Sequence, residues 1–141
     1  MMEVAYLAGL FDGEGTIGIQ KVKNGYGLRI QIQIYNKITY EIQDNFGGSA
    51  YGPYGKEKKA YIWRCNGLNA GKILELIFPY LVIKKEEAEL AIDYLKTFEW
   101  GGGKGNRRTE KEKELQELYY IKMQMLKREG VAYAPMVLLL F

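Results

Sequence analysis

Histidine is absent from all 141 residues, and cysteine occurs once, at Cys65. Without an imidazole the chain has no Ser-His-Asp triad, no HExxH zinc site and no histidine-based nuclease motif, and one thiol supports neither a disulfide framework nor a cysteine-type zinc site. Any metal is therefore held by oxygen. Long apolar runs are missing as well: the C-terminal VAYAPMVLLLF falls far short of the roughly 20 residues of a membrane span. The N-terminus lacks a basic leader and its apolar run stops at Asp12, so neither a cleaved signal peptide nor a membrane partner is expected, and the chain reads as intracellular and soluble. A net charge of +3 favours a polyanionic partner only weakly. What is present is enough apolar material, 48% of the sequence, for the core of one domain.

The periodicity of that material changes along the chain. Glu3 to Phe11 reads as a helix that Gly13 and Gly15 stop. From Thr16 the period becomes two. TIGIQKV and LRIQIQIY flank Asn24-Gly25 as a hairpin, and Ile30, Ile32 and Ile34 alternate with Arg29, Gln31, Gln33 and Tyr35. ITYEIQDNF predicts a short helix ended by Gly47-Gly48, and SAYGPYGKEKKAYIWRC a second hairpin. Asn69 is placed to cap AGKILELIF, Pro79 interrupts it, and KKEEAELAIDYLKTF resumes a helical period. Residues 1–100 thus form one core, 101–109 a glycine-rich basic linker with Arg107 and Arg108, and 110–141 an appended helix and apolar tail packed on the same domain.

Two glycine patterns carry no chemistry. Gly13 to Gly18 satisfies GxGxxG, but a helix precedes it and a strand follows, the reverse of a dinucleotide site, and GGGKGN lacks the phosphate-loop spacing. The stretch LAGLFDGEG is different. Ala5 and Gly9 lie four apart on a helix with Ala8 beside them, small residues that let two backbones approach closely. Asp12 and Glu14 fall at a helix C-terminus, where the dipole disfavours acids, so a positive group belongs there; free carbonyls plus the Glu14 carboxylate make a nest of hard oxygen for Mg²⁺.

Leu7 to Gly15 resembles the motif of the LAGLIDADG homing endonucleases, and helix, hairpin, helix, hairpin, helix matches that family's αββαββα core. PYLVIKKEEAEL is similar to its lysine-bearing segment. The resemblance implies an α+β fold with an antiparallel sheet as a DNA-binding saddle, and a homodimer that cuts a long, roughly palindromic double-stranded site with Mg²⁺ or Mn²⁺, leaving short 3′ overhangs. No small-molecule cofactor is implied. Carried over residue by residue, Glu14 and the Gly13 carbonyl are metal ligands, Lys84 is the active-site lysine, and Asn36 positions water. Tyr40 stands where some members place an arginine. Ala5, Ala8, Gly9 and Asp12 belong to the dimer interface, although the phase of Asp12 also suits a structural role.

On the sheet, arginine and glutamine have the donor patterns that read guanine and adenine, so Gln20, Arg29, Gln31, Gln33 and Tyr35 face DNA with Ile62 and Arg64. Lys56, Lys58 and Lys59 hold phosphates. Two alternatives remain at this stage: a catalytically inactive or RNA-splicing protein on the same fold, which the retained acid at Glu14 disfavours, and a plain dimerisation module.

Overall fold

In the computed structural model the described residues are 1–23, 25–98 and 110–129; Asn24, the linker with Arg107 and Arg108, and the apolar tail lie outside them. Helix α1 (Val4–Glu14) leads into strands β1 (Gly15–Val22) and β2 (Gly25–Ile34), then α2 (Ile38–Phe46), β3 (Ser49–Tyr54), β4 (Ala60–Asn66) and α3 (Gly67–Ile77). A single 3₁₀ turn at Phe78–Tyr80 precedes α4 (Lys85–Phe98), and α5 (Glu110–Glu129) closes the described fold. The four strands form one antiparallel sheet in the order β1-β2-β4-β3. This is the α+β architecture that the alternating periods predict.

Period-two alternation divides the sheet into two faces. Ile17 pairs with Ile30, Ile19 with Leu28, Ile30 with Cys65 and Ile32 with Trp63. All of these are buried, and burial pushes the Cys65 thiol up. Every long helix packs against the sheet, and Leu7, Phe11, Ile42, Leu74 and Ile77 join the strands in one core. The other face carries Arg29, Gln31, Gln33 and Arg64, none of them buried. Truncating Ile32, which has no exposed surface, to alanine should cost roughly 2–5 kcal/mol in chemical denaturation. A cost below about 1 kcal/mol would mean the strand register is off by one residue.

Two boundaries differ from expectation. Helix α1 runs through Gly13 to Glu14 because its last turn is tied from outside, which outweighs the ~1 kcal/mol a helical glycine costs. It stops at Gly15, where a Cβ would lie 2.5 Å from the Phe11 ring and 2.6 Å from the Phe11 carbonyl. Helix α3 starts at Gly67, with φ +60°, rather than after Asn69; Asn66 occupies the cap position, yet its side chain serves Arg29 instead.

The last helix packs on the same domain. Tyr119 and Met123 of α5 are buried in the common core with Leu115, Tyr120 and Leu126 packed beside them, and α5 touches α4, β1 and β2. The Tyr119 hydroxyl donates to Asp93 Oδ2 at 2.6 Å. Burial, reinforced by that bond, pushes its pKa up to about 12. No helix among the described residues is long and apolar enough to cross a membrane.

Candidate active site and nucleic-acid interface

The sequence places two acids at the unfavourable end of a helix, and the structure resolves that conflict through residues some seventy positions away. The Asp12 carboxylate accepts three successive backbone N–H groups: Val82 at 2.8 Å, Ile83 at 3.1 Å and Lys84 at 2.9 Å. These lie immediately before α4, so the carboxylate sits in the positive field of that helix's N-terminus. In return, Lys84 Nζ donates to the Asp12 backbone carbonyl at 2.9 Å, and the Lys84 carbonyl accepts from Ala88 inside α4. The end of α1 and the start of α4 are therefore clasped in both directions. Lys84 thus brings a positive charge to the C-terminal end of α1 from within the chain.

The clasp leaves Glu14 free. The Phe11 carbonyl is taken by the Gly15 N–H and the Asp12 carbonyl by Lys84. Gly13 and Glu14 are exposed, and neither the Gly13 carbonyl nor the Glu14 carboxylate has a partner among the described residues. One carboxylate and one carbonyl fit a hard divalent ion such as Mg²⁺, which keeps several waters and completes its shell with substrate phosphate. Among the described residues no three His, Cys, Asp or Glu side chains gather into a protein-only metal cage.

The dimer-interface expectation divides. Ala5 and Gly9 are exposed, and with Gly13 they form an i, i+4, i+8 stripe. A Cβ at Gly9 or Gly13 meets nothing within 4 Å, so packing within the protomer does not require either glycine. Ala8 does not belong to the stripe: it is fully buried in the core, because one residue along a helix turns about 100° from Gly9. Asp12 directs its carboxylate into its own protomer rather than toward a neighbour.

Asn36 is exposed, and its Oδ1 accepts the Ile38 N–H at 2.8 Å, the side-chain turn that starts α2. Its Nδ2 has no partner among the described residues. Tyr40 donates from its hydroxyl to the Gly52 carbonyl at 2.8 Å and stacks edge-on with Tyr61. It ties α2 to β3 and is no stand-in for a phosphate-binding arginine.

On the open face, side chains align in rows across the sheet. Gly18, Arg29 and Asn66 form one row; Thr16, Gln31, Arg64 and Ser49 a second; Gln33, Ile62 and Tyr51 a third. Gln20 lies opposite Gly27, and Tyr35, 76% exposed, follows the end of β2. Two cross-strand bonds join this face: Arg29 Nε to Asn66 Oδ1 at 3.0 Å and Arg64 Nε to Gln31 Oε1 at 2.7 Å. Gln31, expected to pair with adenine by itself, thus has its amide oxygen turned to Arg64. Asn66, Tyr51, Ser49 and Thr16 were not foreseen; strand register, which sequence does not print, brings them here. Lys56, Lys58 and Lys59 are exposed around the β3–β4 turn, and Lys59 lies 3.4 Å from Glu57.

A LAGLIDADG endonuclease family profile matches residues 7–100. The chain belongs to this family. No curated protein matches the sequence. Among solved LAGLIDADG structures, the meganuclease I-AabMI bound to uncleaved DNA is 20% identical, with a TM-score of 0.69 over 92% of this chain and 46% of that one. The homing endonuclease I-CvuI, in complex with its target in the presence of calcium, is 19% identical, with a TM-score of 0.66 over 87% of this chain and 80% of that one. An archaeal intron-encoded homing endonuclease complexed with DNA is 13% identical, with a TM-score of 0.60 over 86% of this chain and 96% of that one. At these identities the likeness establishes the LAGLIDADG fold. The chain spans about half the length of I-AabMI and most of the length of the other two.

Proposed function

We infer that a homodimer of this chain cleaves double-stranded DNA at a long, roughly palindromic site with Mg²⁺ or Mn²⁺, leaving short 3′ overhangs. The observation that carries this reading is the unpartnered Glu14 carboxylate, held at the end of α1 by the Asp12–Lys84 clasp. It stands two residues before Thr16, on the open polar face of the sheet. A divalent ion held by Glu14 and the Gly13 carbonyl would supply an activated water and stabilise charge on the leaving 3′ oxygen.

The chain's own residues do the remaining work. Lys84 spends one of its three N–H donors on the Asp12 carbonyl; the other two remain to place positive charge beside the scissile phosphate. The Asn36 amide nitrogen is left to orient water. Gln20, Arg29, Gln33, Tyr35, Ile62 and Arg64 face the major groove, while Lys56, Lys58 and Lys59 meet phosphates. Duplex cleavage needs two centres, and each protomer carries one Glu14. The exposed Ala5–Gly9–Gly13 stripe, open at both glycines, suits close approach of an identical helix across a two-fold axis.

The test is selection of cleaved sites from a randomised DNA library with Mg²⁺ and, separately, Mn²⁺. Enrichment of sites with dyad symmetry is expected. Absence of cleavage with both ions, or enrichment of sites without symmetry, overturns the reading. Gln33 is exposed and has no side-chain partner among the described residues, so Gln33→Ala should relax one symmetric pair of base positions by about tenfold in preference. The melting temperature should scarcely change; a lowered melting temperature with unaltered base preference would place Gln33 in a structural role instead.

A further inference from the structure

Arg29 and Asn66 face each other across β2 and β4, as do Gln31 and Arg64. In each pair the arginine Nε donates to an amide oxygen, at 3.0 Å for Arg29 and 2.7 Å for Arg64. A guanidinium only donates, so each amide turns its oxygen toward the arginine and its NH₂ away. The bond has opposite consequences for its two members. The arginine keeps the four N–H groups on Nη1 and Nη2 and has already given up much of the rotamer freedom that a free side chain loses on binding. The amide has its acceptor facing the arginine, whereas adenine requires an acceptor for N6 together with a donor for N7. Beside Arg29 on β1 lies Gly18, with no side chain to cover the guanidinium.

We propose that Gln31 and Asn66 are positioning residues, which hold Arg64 and Arg29 to read guanine at two positions of each half-site. The proposal rests on the DNA-cleaving function inferred above, in which this face enters the major groove. The Nη pair of each arginine donates to guanine O6 and N7 as a fork, and the amide behind it fixes the fork's direction. Gln33, one row along and unpaired, keeps both its acceptor and its donors for adenine.

The experiment is site selection from a randomised library by the full chain and by its Arg64→Ala, Gln31→Ala, Gln31→Glu, Arg29→Ala and Asn66→Ala variants, with thermal melting alongside. Arg64→Ala and Gln31→Ala should relax the same position, a guanine for the wild type, with Gln31→Ala reducing discrimination about tenfold. Arg29→Ala and Asn66→Ala should share a second guanine position. Gln31→Glu should retain guanine, because a carboxylate accepts the Nε proton at least as well as an amide.

Relaxation of an adenine by Gln31→Ala, at a position distinct from that of Arg64→Ala, overturns the proposal. So does a switch to cytosine in Gln31→Glu, since an independent glutamate accepts from cytosine N4. Either result leaves the endonuclease function standing. A wild-type protein that enriches no sequence overturns both.

Discussion

Glu14→Gln should slow DNA cleavage by about three orders of magnitude or more, the scale of several kcal/mol of metal-derived transition-state stabilisation, while DNA affinity measured in Ca²⁺ stays near that of the wild type. The substitution keeps shape and removes only the charge proposed to hold the ion. Glu14 is exposed and bears none of the bonds that secure the α1–α4 junction, so the fold has no reason to respond. Affinity is set largely by phosphate contacts from cationic side chains, and removing an acid from beside the backbone does not weaken them. Paired rate and binding measurements separate the two effects. Full cleavage by Glu14→Gln would falsify the assignment of this carboxylate to the metal.

Gly9→Leu should yield a folded protomer that no longer makes double-strand breaks. The space over Gly9 is empty within the protomer, and leucine favours a helix over glycine by somewhat less than the roughly 0.8–1 kcal/mol by which alanine does, so the monomer is expected to be slightly more stable. The same side chain on a two-fold axis meets its own copy. It wedges the helices apart and separates the two Glu14 carboxylates from the scissile phosphates. Sedimentation with and without DNA, beside nicking and linearisation of supercoiled plasmid, reads both consequences. A Gly9→Leu protein that stays dimeric and fully active refutes the helix-pair interface, as does a wild-type monomer that linearises plasmid without dimerising on DNA.

The sheet was legible in the sequence because a two-residue period is written locally: Ile30 and Ile32 turn inward and Arg29, Gln31 and Gln33 outward wherever the strand lies. The limits of α2 were legible for a similar reason, since Gly47 and Gly48 both adopt positive φ and break the helix where they occur. Glu14 is singled out by its place at a helix C-terminus and Lys84 by the family resemblance, neither of them by periodicity. What the sequence did not reveal depends on partners far along the chain. The length of α1 follows from bonds to residues 82–84, and the roles of Asn66 and Gln31 follow from the pairing of β2 with β4. Ala8 was misplaced because spacing alone groups it with Gly9, whereas the core claims it. The place of α5 in the core rests on a narrow apolar stripe in a charged helix, in which Tyr119 and Met123 are buried.

Strand β2 holds two sets of instructions on alternate residues. Ile30 and Ile32 point to a core already filled by Phe11, Leu74 and Trp63, while Arg29 and Gln33 on the opposite face contribute nothing to it. Under the proposed function, mutations that retarget the protein to a new sequence therefore fall on positions whose loss the fold tolerates, and mutations that unfold it fall on positions that no base would touch. The paired side chains qualify that freedom: Arg64 is bonded to Gln31 and Arg29 to Asn66, so under the proposed guanine reading a new base at either row calls for changing both members. A lineage of such chains is expected to wander among targets by two-residue steps at these rows and by single steps at Gln33, without passing through unstable intermediates.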